Sequence, residues 1–152
     1  MQVLKAPFGN LYIYADKDFL LAVSFRQIDA INAKVDDNHP ILKQTTQQLD
    51  DYFSGNCRTF DLPLQPQGTQ FQQQVWQQLQ KIDYGTTANY GQVAAAIGNP
   101  KAVRAVGNAN NKNPIVIVIP CHRVIGASGQ LVGYGGGLPV KEWLLNHEQK
   151  YA

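Results

Sequence analysis

Hydrophobic and polar positions follow two different rhythms along this 152-residue chain. Near the N-terminus, Leu11-Tyr12-Ile13-Tyr14-Ala15 and the run from Phe19 to Phe25 are largely apolar or aromatic, bounded by Gly9-Asn10 and Asp16-Lys17-Asp18. Short β-branched and aromatic runs between turn formers predict antiparallel hairpins. The rhythm then changes. Behind Pro40, which suits a first helical position, Ile41, Thr45, Leu49 and Phe53 recur every four residues, and Gly55 closes the segment. That spacing is the mark of an amphipathic helix. A further short strand is expected at Thr59-Phe60-Asp61-Leu62, followed by a linker, Pro63-Leu64-Gln65-Pro66-Gln67-Gly68. The run from Gln70 to Gln80 is rich in glutamine, but Phe71, Val75 and Leu79 interrupt it at helical spacing and Thr69 with Gln72 makes a capping-box pattern.

Helical signals continue. Asn89 can cap a helix from Tyr90 to Ile97, Gly98-Asn99 turns the chain, and Asn99 with Pro100 can start a second helix reaching about Asn108. Two short helices joined by a tight glycine turn form a helix-turn-helix pattern. The second helix carries Ala102, Val103, Ala105, Val106 and Gly107, with Arg104 its single cation. A major-groove reader offers longer polar side chains to base edges. A smooth helix fits closely against a narrow groove and its backbone, and an Ala-rich packing helix is the plainer alternative. The expected fold class is α+β: a small N-terminal lobe of antiparallel strands plus a helix over residues 1–66, then a mainly helical C-terminal domain over 67–152 with a winged-helix-like helix-turn-helix.

The chemistry-bearing residues follow. Ile115-Val116-Ile117-Val118-Ile119 is a run of five β-branched residues after Asn113-Pro114, expected to be a buried strand-like segment. It leads into Pro120-Cys121-His122-Arg123-Val124. A cysteine placed there is either inert core or a held nucleophile, and a histidine and an arginine beside it favour the thiolate. In extended backbone His122 points away from Cys121, so a turn or a bridging water is needed to connect them. Gly133-Tyr134-Gly135-Gly136-Gly137 suits close approach of backbone to a flat ligand. It lacks the Gly-Lys-Ser/Thr ending of a phosphate-binding loop, which excludes nucleotide hydrolysis of that kind. Pro139 to Gln149 reads as a helix with Val140, Leu144 and either His147 or Glu148 on one face.

Charge sharpens the contrast between the two parts. Residues 1–83 hold 7 Lys/Arg and 9 Asp/Glu, whereas residues 84–152 hold 6 and 2. From residue 84 to residue 141 there is no carboxylate at all, a modest footprint for a polyanion. Two cysteines, Cys57 and Cys121, make no disulfide framework and point to a reducing compartment. The N-terminus carries no basic start followed by an apolar run, so no signal peptide is expected, and the longest apolar run near a motif is too short to span a bilayer.

Pro120-Cys121-His122-Arg123-Val124 resembles the active-site signature of the O6-alkylguanine-DNA alkyltransferases. The resemblance runs from Phe71 to Glu148, with Asn99 to Gly107, Asn113-Pro114, Gly133 to Leu138 and Lys141-Glu142-Trp143-Leu144-Leu145 in family order. It implies direct damage reversal: Cys121 takes the alkyl group from guanine O6, or from O4-alkylthymine as an alternative lesion, once and without a cofactor. By the same resemblance His122 acts as the base through a water and Glu148 orients it. Asn113 is the hinge between recognition helix and active-site segment. Ala102, Val103, Ala105 and Gly107 form the minor-groove face, and Arg104 replaces the extruded base. Tyr90 crowds the phosphate and meets the purine edge, the Gly135 N–H meets O6, and Tyr134 walls the pocket. The carbonyls of Cys121 and Val124 receive the exocyclic amine. The implied partner is alkylated double-stranded DNA, met by a cytoplasmic monomer with no membrane association. Two positions depart from the pattern: Asn108 stands where many members have a second glycine, and Val116 where some have proline. Some members bind zinc in the first lobe, but Cys57 and His39 are too few for a tetrahedral site, and no metal is expected. A DNA-binding regulator would not need the run into Cys121, a lesion-binding relative would lack the cysteine, and a cysteine hydrolase would turn over.

Overall fold

The structure is a computed structural model and describes residues 1–29, 31, 34–36 and 38–152. It divides into two compact units, Met1–Gln67 and Gly68–Ala152.

In the first unit, strands β1 (Gln2–Ala6), β2 (Gly9–Ala15) and β3 (Leu20–Ser24) form an antiparallel meander in chain order. Val3 lies opposite Tyr12 and Ile13 opposite Val23. The two-residue Pro7-Phe8 connection between Ala6 and Gly9 is closed by Gly9 at φ +138°, a conformation open to glycine. Helix α1 (Pro40–Phe53) begins where the sequence suggests, with proline in its first turn and His39 as N-cap, the ring Nδ1 accepting from the Ile41 N–H at 3.2 Å. Leu11, Ile13, Leu20, Val23, Leu42, Leu49 and Tyr52 are buried as its core. Two expectations change here. Gln2–Ala6 is a paired strand, which its unremarkable composition did not suggest. Thr59 to Leu62 is not a strand: the Gln48 side chain bonds both the N–H and the carbonyl of Asp61, at 2.9 and 3.0 Å, and so takes the groups a ladder would use. Leu64, between two prolines, instead makes a single parallel bridge to Leu20.

The second unit contains helices α2 (Gln70–Leu79), α3 (Tyr90–Ala96), α4 (Val103–Asn111) and α5 (Leu138–Tyr151). A two-residue parallel ladder joins β4 (Ala88–Asn89) to β5 (Val124–Ile125). Thr69 and Gln72 make a complete capping box on α2, and Asn89 with Gln92 makes one on α3. Trp76, almost wholly buried on α2, donates its ring N–H to the Ala109 carbonyl at 2.9 Å and so fixes α2 against α4. No helix among the described residues is long and apolar enough to cross a membrane.

The helix-turn-helix is present as α3, turn and α4, but its turn differs from expectation. Gly98, at φ +81°, lets the N–H groups of Gly98 and Asn99 return to the carbonyls of Ala95 and Ala94, at 3.0 Å each. This is the two-bond glycine stop of a helix C-terminus. Asn99 therefore ends α3 rather than capping α4. Its carbonyl closes a turn through Pro100 and Lys101 to the Ala102 N–H at 3.0 Å, and α4 starts only at Val103 and runs to Asn111. On α5 the buried face is Lys141, Leu144, His147 and Glu148, while Val140 is half-buried.

A candidate active site around Cys121

Residues 115–119 are all buried, as the run of β-branched side chains suggests, but they do not form a strand. The Val118 N–H bonds the Val116 carbonyl at 2.8 Å across Ile117, which sits at φ +72°, and the Ile119 N–H returns to the Ile115 carbonyl at 3.0 Å. Ile117 is the one described non-glycine residue with positive φ. For a β-branched side chain that conformation is strained, at about 1–3 kcal/mol. Asn113 holds it: its Oδ1 accepts the Ile115 N–H at 3.0 Å and its Nδ2 donates to the Ile119 carbonyl at 2.7 Å. A buried amide spanning both ends of the loop supplies the hydrogen bonds that a neighbouring strand would otherwise give.

This folded-back segment delivers Cys121 as the first residue of a 3-10 turn, Cys121–Arg123. Cys121 is only 3% exposed. Burial is the dominant influence on its thiol and pushes the pKa up to about 11, against the opposing pull of Asn113, Lys141 and Tyr134. The resting sulfur is therefore a protonated thiol at neutral pH. This corrects the expectation that His122 and Arg123 favour the thiolate. Arg123 turns away from the sulfur and meets Glu148, its Nε donating to Oε1 at 2.8 Å and its Nη2 to Oε2 at 3.0 Å. Its Nη1 donates to the Ile82 carbonyl at 2.7 Å, and the guanidinium lies 5.6 Å from the centre of the Tyr84 ring.

The same carboxylate engages His122. His122 Nε2 and Glu148 Oε2 are 2.6 Å apart, and both side chains are sealed from solvent. Burial works to raise the Glu148 pKa, but the hydrogen bond from His122 and the hydrogen bonds and charge of Arg123 outweigh it and hold the carboxyl well below the usual range. An ionised Glu148 accepts from Nε2–H, which leaves the other ring nitrogen as an acceptor. That atom, Nδ1, is buried and has no hydrogen-bond partner in the protein. Burial lowers the His122 pKa, with Glu148 opposing, so the neutral imidazole prevails at pH 7. The 3-10 turn is the local bend that the extended reading lacked.

Above the turn, the Val132 carbonyl accepts from the Tyr90 hydroxyl at 3.2 Å and from the Lys141 ammonium at 2.9 Å. These bonds tie the residues before the glycine loop to the starts of α3 and α5. Lys141 is wholly buried, and burial lowers its pKa. Its position as a buried cation was not legible, because the sequence placed Val140, Leu144 and either His147 or Glu148 on the inner face of the helix and gave Lys141 no place there. Val124 begins β5 and is buried, while Tyr134 and Gly135 lie in the loop just before α5. Gly107 faces the Tyr90 ring, an added Cβ lying 3.9 Å from it. Val103, Arg104 and Ala105 are exposed on α4, and Ala102 is its N-cap. Gly85, also missed, has φ +76°, donates to Glu148 Oε1 at 3.4 Å, and has room for no Cβ beside Ala152. Sequence reasoning also missed Asn110, whose Nδ2 donates to the Cys121 carbonyl at 3.3 Å. That carbonyl also accepts the Val124 N–H. Among the described residues no group of three or more His, Cys, Asp or Glu is arranged to hold a metal.

Comparison with known proteins agrees along the whole chain. Residues 1–66 match the ribonuclease-like domain, and residues 70–150 the DNA binding domain, of 6-O-methylguanine DNA methyltransferase. A methylated-DNA–protein-cysteine methyltransferase of Methanosarcina acetivorans is 45% identical over 150 residues, covering 96% of both chains. The constitutive one of Bacillus subtilis is 44% identical over 152 residues, covering 95% of this chain and 92% of the relative. Mycobacterium tuberculosis O6-methylguanine methyltransferase superposes with a TM-score of 0.92 at 41% identity over 99% of this chain and 93% of that one. The crystal structure of Mycobacterium tuberculosis OGT in complex with DNA gives 0.93 at 42%, with the same coverage. With an α+β fold, a helix-turn-helix and matches to both domains, this chain belongs to the 6-O-methylguanine DNA methyltransferase family.

Proposed function

We propose that this protein repairs O6-alkylguanine in duplex DNA by moving the alkyl group, once per molecule, onto the sulfur of Cys121. The observation that carries the reading is the arrangement His122–Glu148 beside a buried cysteine: an ionised carboxylate holds one ring nitrogen at 2.6 Å and leaves the other as a free acceptor. This is the base-plus-orienter logic of an activated nucleophile. The thiol proton passes through a water to His122 Nδ1. The thiolate attacks the alkyl carbon, the carbon–O6 bond breaks, and its electron pair returns to the base, which takes up the equivalent of the proton that His122 accepted and remains in the strand as guanine. The product thioether is not hydrolysed, so Cys121 is consumed. No cofactor enters the balance.

A thiol with a pKa pushed to about 11 suits an agent used once. It stays inert towards chance electrophiles until the base is in place. Cys121 is only 3% exposed at rest, so the base enters by displacing what covers the sulfur. The Tyr90 hydroxyl then turns to the purine edge, Tyr134 and Val124 wall the base, and the Gly135 N–H meets O6. Extrusion of the base costs a few kcal/mol. The surface carrying Ala102, Val103, Ala105 and Gly107 lies along the minor groove and Arg104 fills the vacated stack. Asn113 couples that helix to Cys121. The protein acts as a monomer in a reducing cytoplasm, where Cys57 and Cys121, both unpaired, stay thiols.

The test is the intact mass after incubation with an O6-methylguanine duplex. One methyl group per chain, absent in Cys121→Ala and retained in Cys57→Ala, is the expected result. Activity lost in Cys57→Ala but kept in Cys121→Ala would move the nucleophile to the other unit.

A further inference from the structure

Glu148 and Gln149 are neighbours on α5, and both reach Gly85, in the turn between α2 and β4. Glu148 Oε1 accepts from the Gly85 N–H at 3.4 Å, and the Gln149 side chain donates through Nε2 to the Gly85 carbonyl at 2.6 Å. Two consecutive residues thus clasp both polar groups of one glycine. The fit is close. Gly85 has φ +76°, and a Cβ added to it would lie 2.9 Å from the Ala152 Cβ and 3.6 Å from the Glu148 backbone oxygen. Arg123 secures the other end of the turn, donating from Nη1 to the Ile82 carbonyl at 2.7 Å. The Glu148 carboxylate therefore accepts from His122 at 2.6 Å, from Arg123 at 2.8 and 3.0 Å, and from Gly85 at 3.4 Å. Of these four bonds the last is the longest, so a small movement of the turn makes or breaks it while the other three persist. Gln149, itself exposed, is what holds the turn in range.

We infer that Gln149 is a positioning residue for the transfer reaction: it keeps the Gly85 N–H on Glu148 and so sets how much of the carboxylate's charge is left for His122. The inference rests on the reading of Cys121 as alkyl acceptor and His122 as its base. A carboxylate that shares its charge with a further donor stabilises the protonated imidazole less. With Gly85 in place, His122 stays neutral to lower pH, and in that form Nδ1 can take the thiol proton. Without it, more charge faces Nε2 and the protonated ring is favoured. The charged and titratable groups around the pair are Cys121 and Arg123 from the 3-10 turn, Lys141 from α5 and Tyr84 from the turn before β4. Helix α2 also packs on the 3-10 turn and carries none. All of these groups remain when Gln149 is replaced, and an apolar replacement for a neutral amide changes no charge.

The experiment uses wild type, Gln149→Met and Gln149→Leu, which keep an apolar stem at an exposed position but offer no N–H. Two titrations are followed between pH 4.5 and 8. The ring-nitrogen shifts of His122 are read by NMR in the free protein, and single-turnover transfer from an O6-methylguanine duplex is timed at saturating protein. Both variants should titrate His122 about half a pH unit higher than wild type. Their transfer rate should fall about threefold on the acid side of that midpoint and stay within about twofold of wild type at pH 8. A merely structural defect would slow transfer by the same factor at every pH and leave the midpoint in place. That outcome, or a midpoint unchanged in both variants, overturns the proposal and leaves Gln149 a surface contact of the turn. The NMR midpoint needs no substrate, so the clasp is read apart from the chemistry. Wild type that gains no methyl group from the duplex overturns the alkyl-acceptor reading itself, and the role of Gln149 in transfer with it.

Discussion

His122 and Glu148, 26 positions apart in the chain, meet at 2.6 Å in a site closed to water, and Arg123 grips the same carboxylate from the other side at 2.8 and 3.0 Å. One carboxylate thus serves a neutral imidazole and a permanent cation. The guanidinium holds Glu148 ionised and fixes its orientation, which in turn fixes which nitrogen of His122 is free.

Glu148→Gln should break this arrangement at its centre. The amide cannot balance Arg123 and can present an N–H towards His122. We expect transfer to slow by at least about a hundredfold, with a loss of stability of about 3–5 kcal/mol from the unpaired buried charge. The depressed Glu148 pKa also sets a sign. Its contribution to stability is present above the ordinary value of 4.5 and is lost as the pH falls through that value and below. Denaturant titrations of wild type and Glu148→Gln between pH 3 and 7 check this: the acid slope should be shallower in the variant.

Cys121 gives the opposite slope at high pH. Its thiol titrates near 9.0 when unperturbed and at about 11 in the fold. Between those values the unfolded chain has lost a proton that the folded chain retains, so stability falls as pH rises. The loss should reach about 2 kcal/mol by pH 11. Cys121→Ala and the methylated protein should both lack this arm. An alkaline slope that survives in Cys121→Ala would assign it to another group.

Asn113→Ala removes two hydrogen bonds from buried backbone groups and the brace on Ile117. Each group left unpaired costs about 1–3 kcal/mol, so a total loss of about 3 kcal/mol is expected in chemical unfolding. Transfer should slow even where the protein is fully folded, because the turn that presents Cys121 relaxes.

Arg104→Ala should separate extrusion from chemistry. Arg104 is exposed on α4. Losing about 2 kcal/mol of support for the extruded state slows duplex repair about thirtyfold at subsaturating DNA. Reaction with a free O6-alkylated base should be unchanged. Equal losses on both substrates would show that Arg104 supports the fold.

Binding to undamaged duplex should depend on salt with a log–log slope of about −3 to −4, corresponding to about four phosphate contacts. Few cations face outward beside the smooth α4 surface, so discrimination among sequences should be small. A slope near −10 with strong sequence preference would describe a regulator instead.

The sequence by itself determined what is decided within a few residues. Thr69 with Gln72 and Asn89 with Gln92 cap their helices as read, because a cap is a bond across three positions that needs no partner elsewhere. The four-residue recurrence behind Pro40 gives α1, and Cys121-His122 arrive together by covalent adjacency. The run of β-branched residues from 115 to 119 predicted burial, which depends on side-chain chemistry, and missed the backbone path, which depends on where Asn113 finds its partners. Asn99 carries the signal of a helix cap, yet Gly98 in a left-handed conformation spends its N–H on ending the previous helix. Tertiary structure alone decided the rest. That Arg123 serves Glu148 rather than Cys121, that Lys141 is buried, and that Asn110 reaches the Cys121 carbonyl are facts about which groups share a dry interior. The physical reason is desolvation: in water Arg123 beside Cys121 would favour the thiolate, whereas once buried the cation goes to the ionised carboxylate and the sulfur keeps its proton.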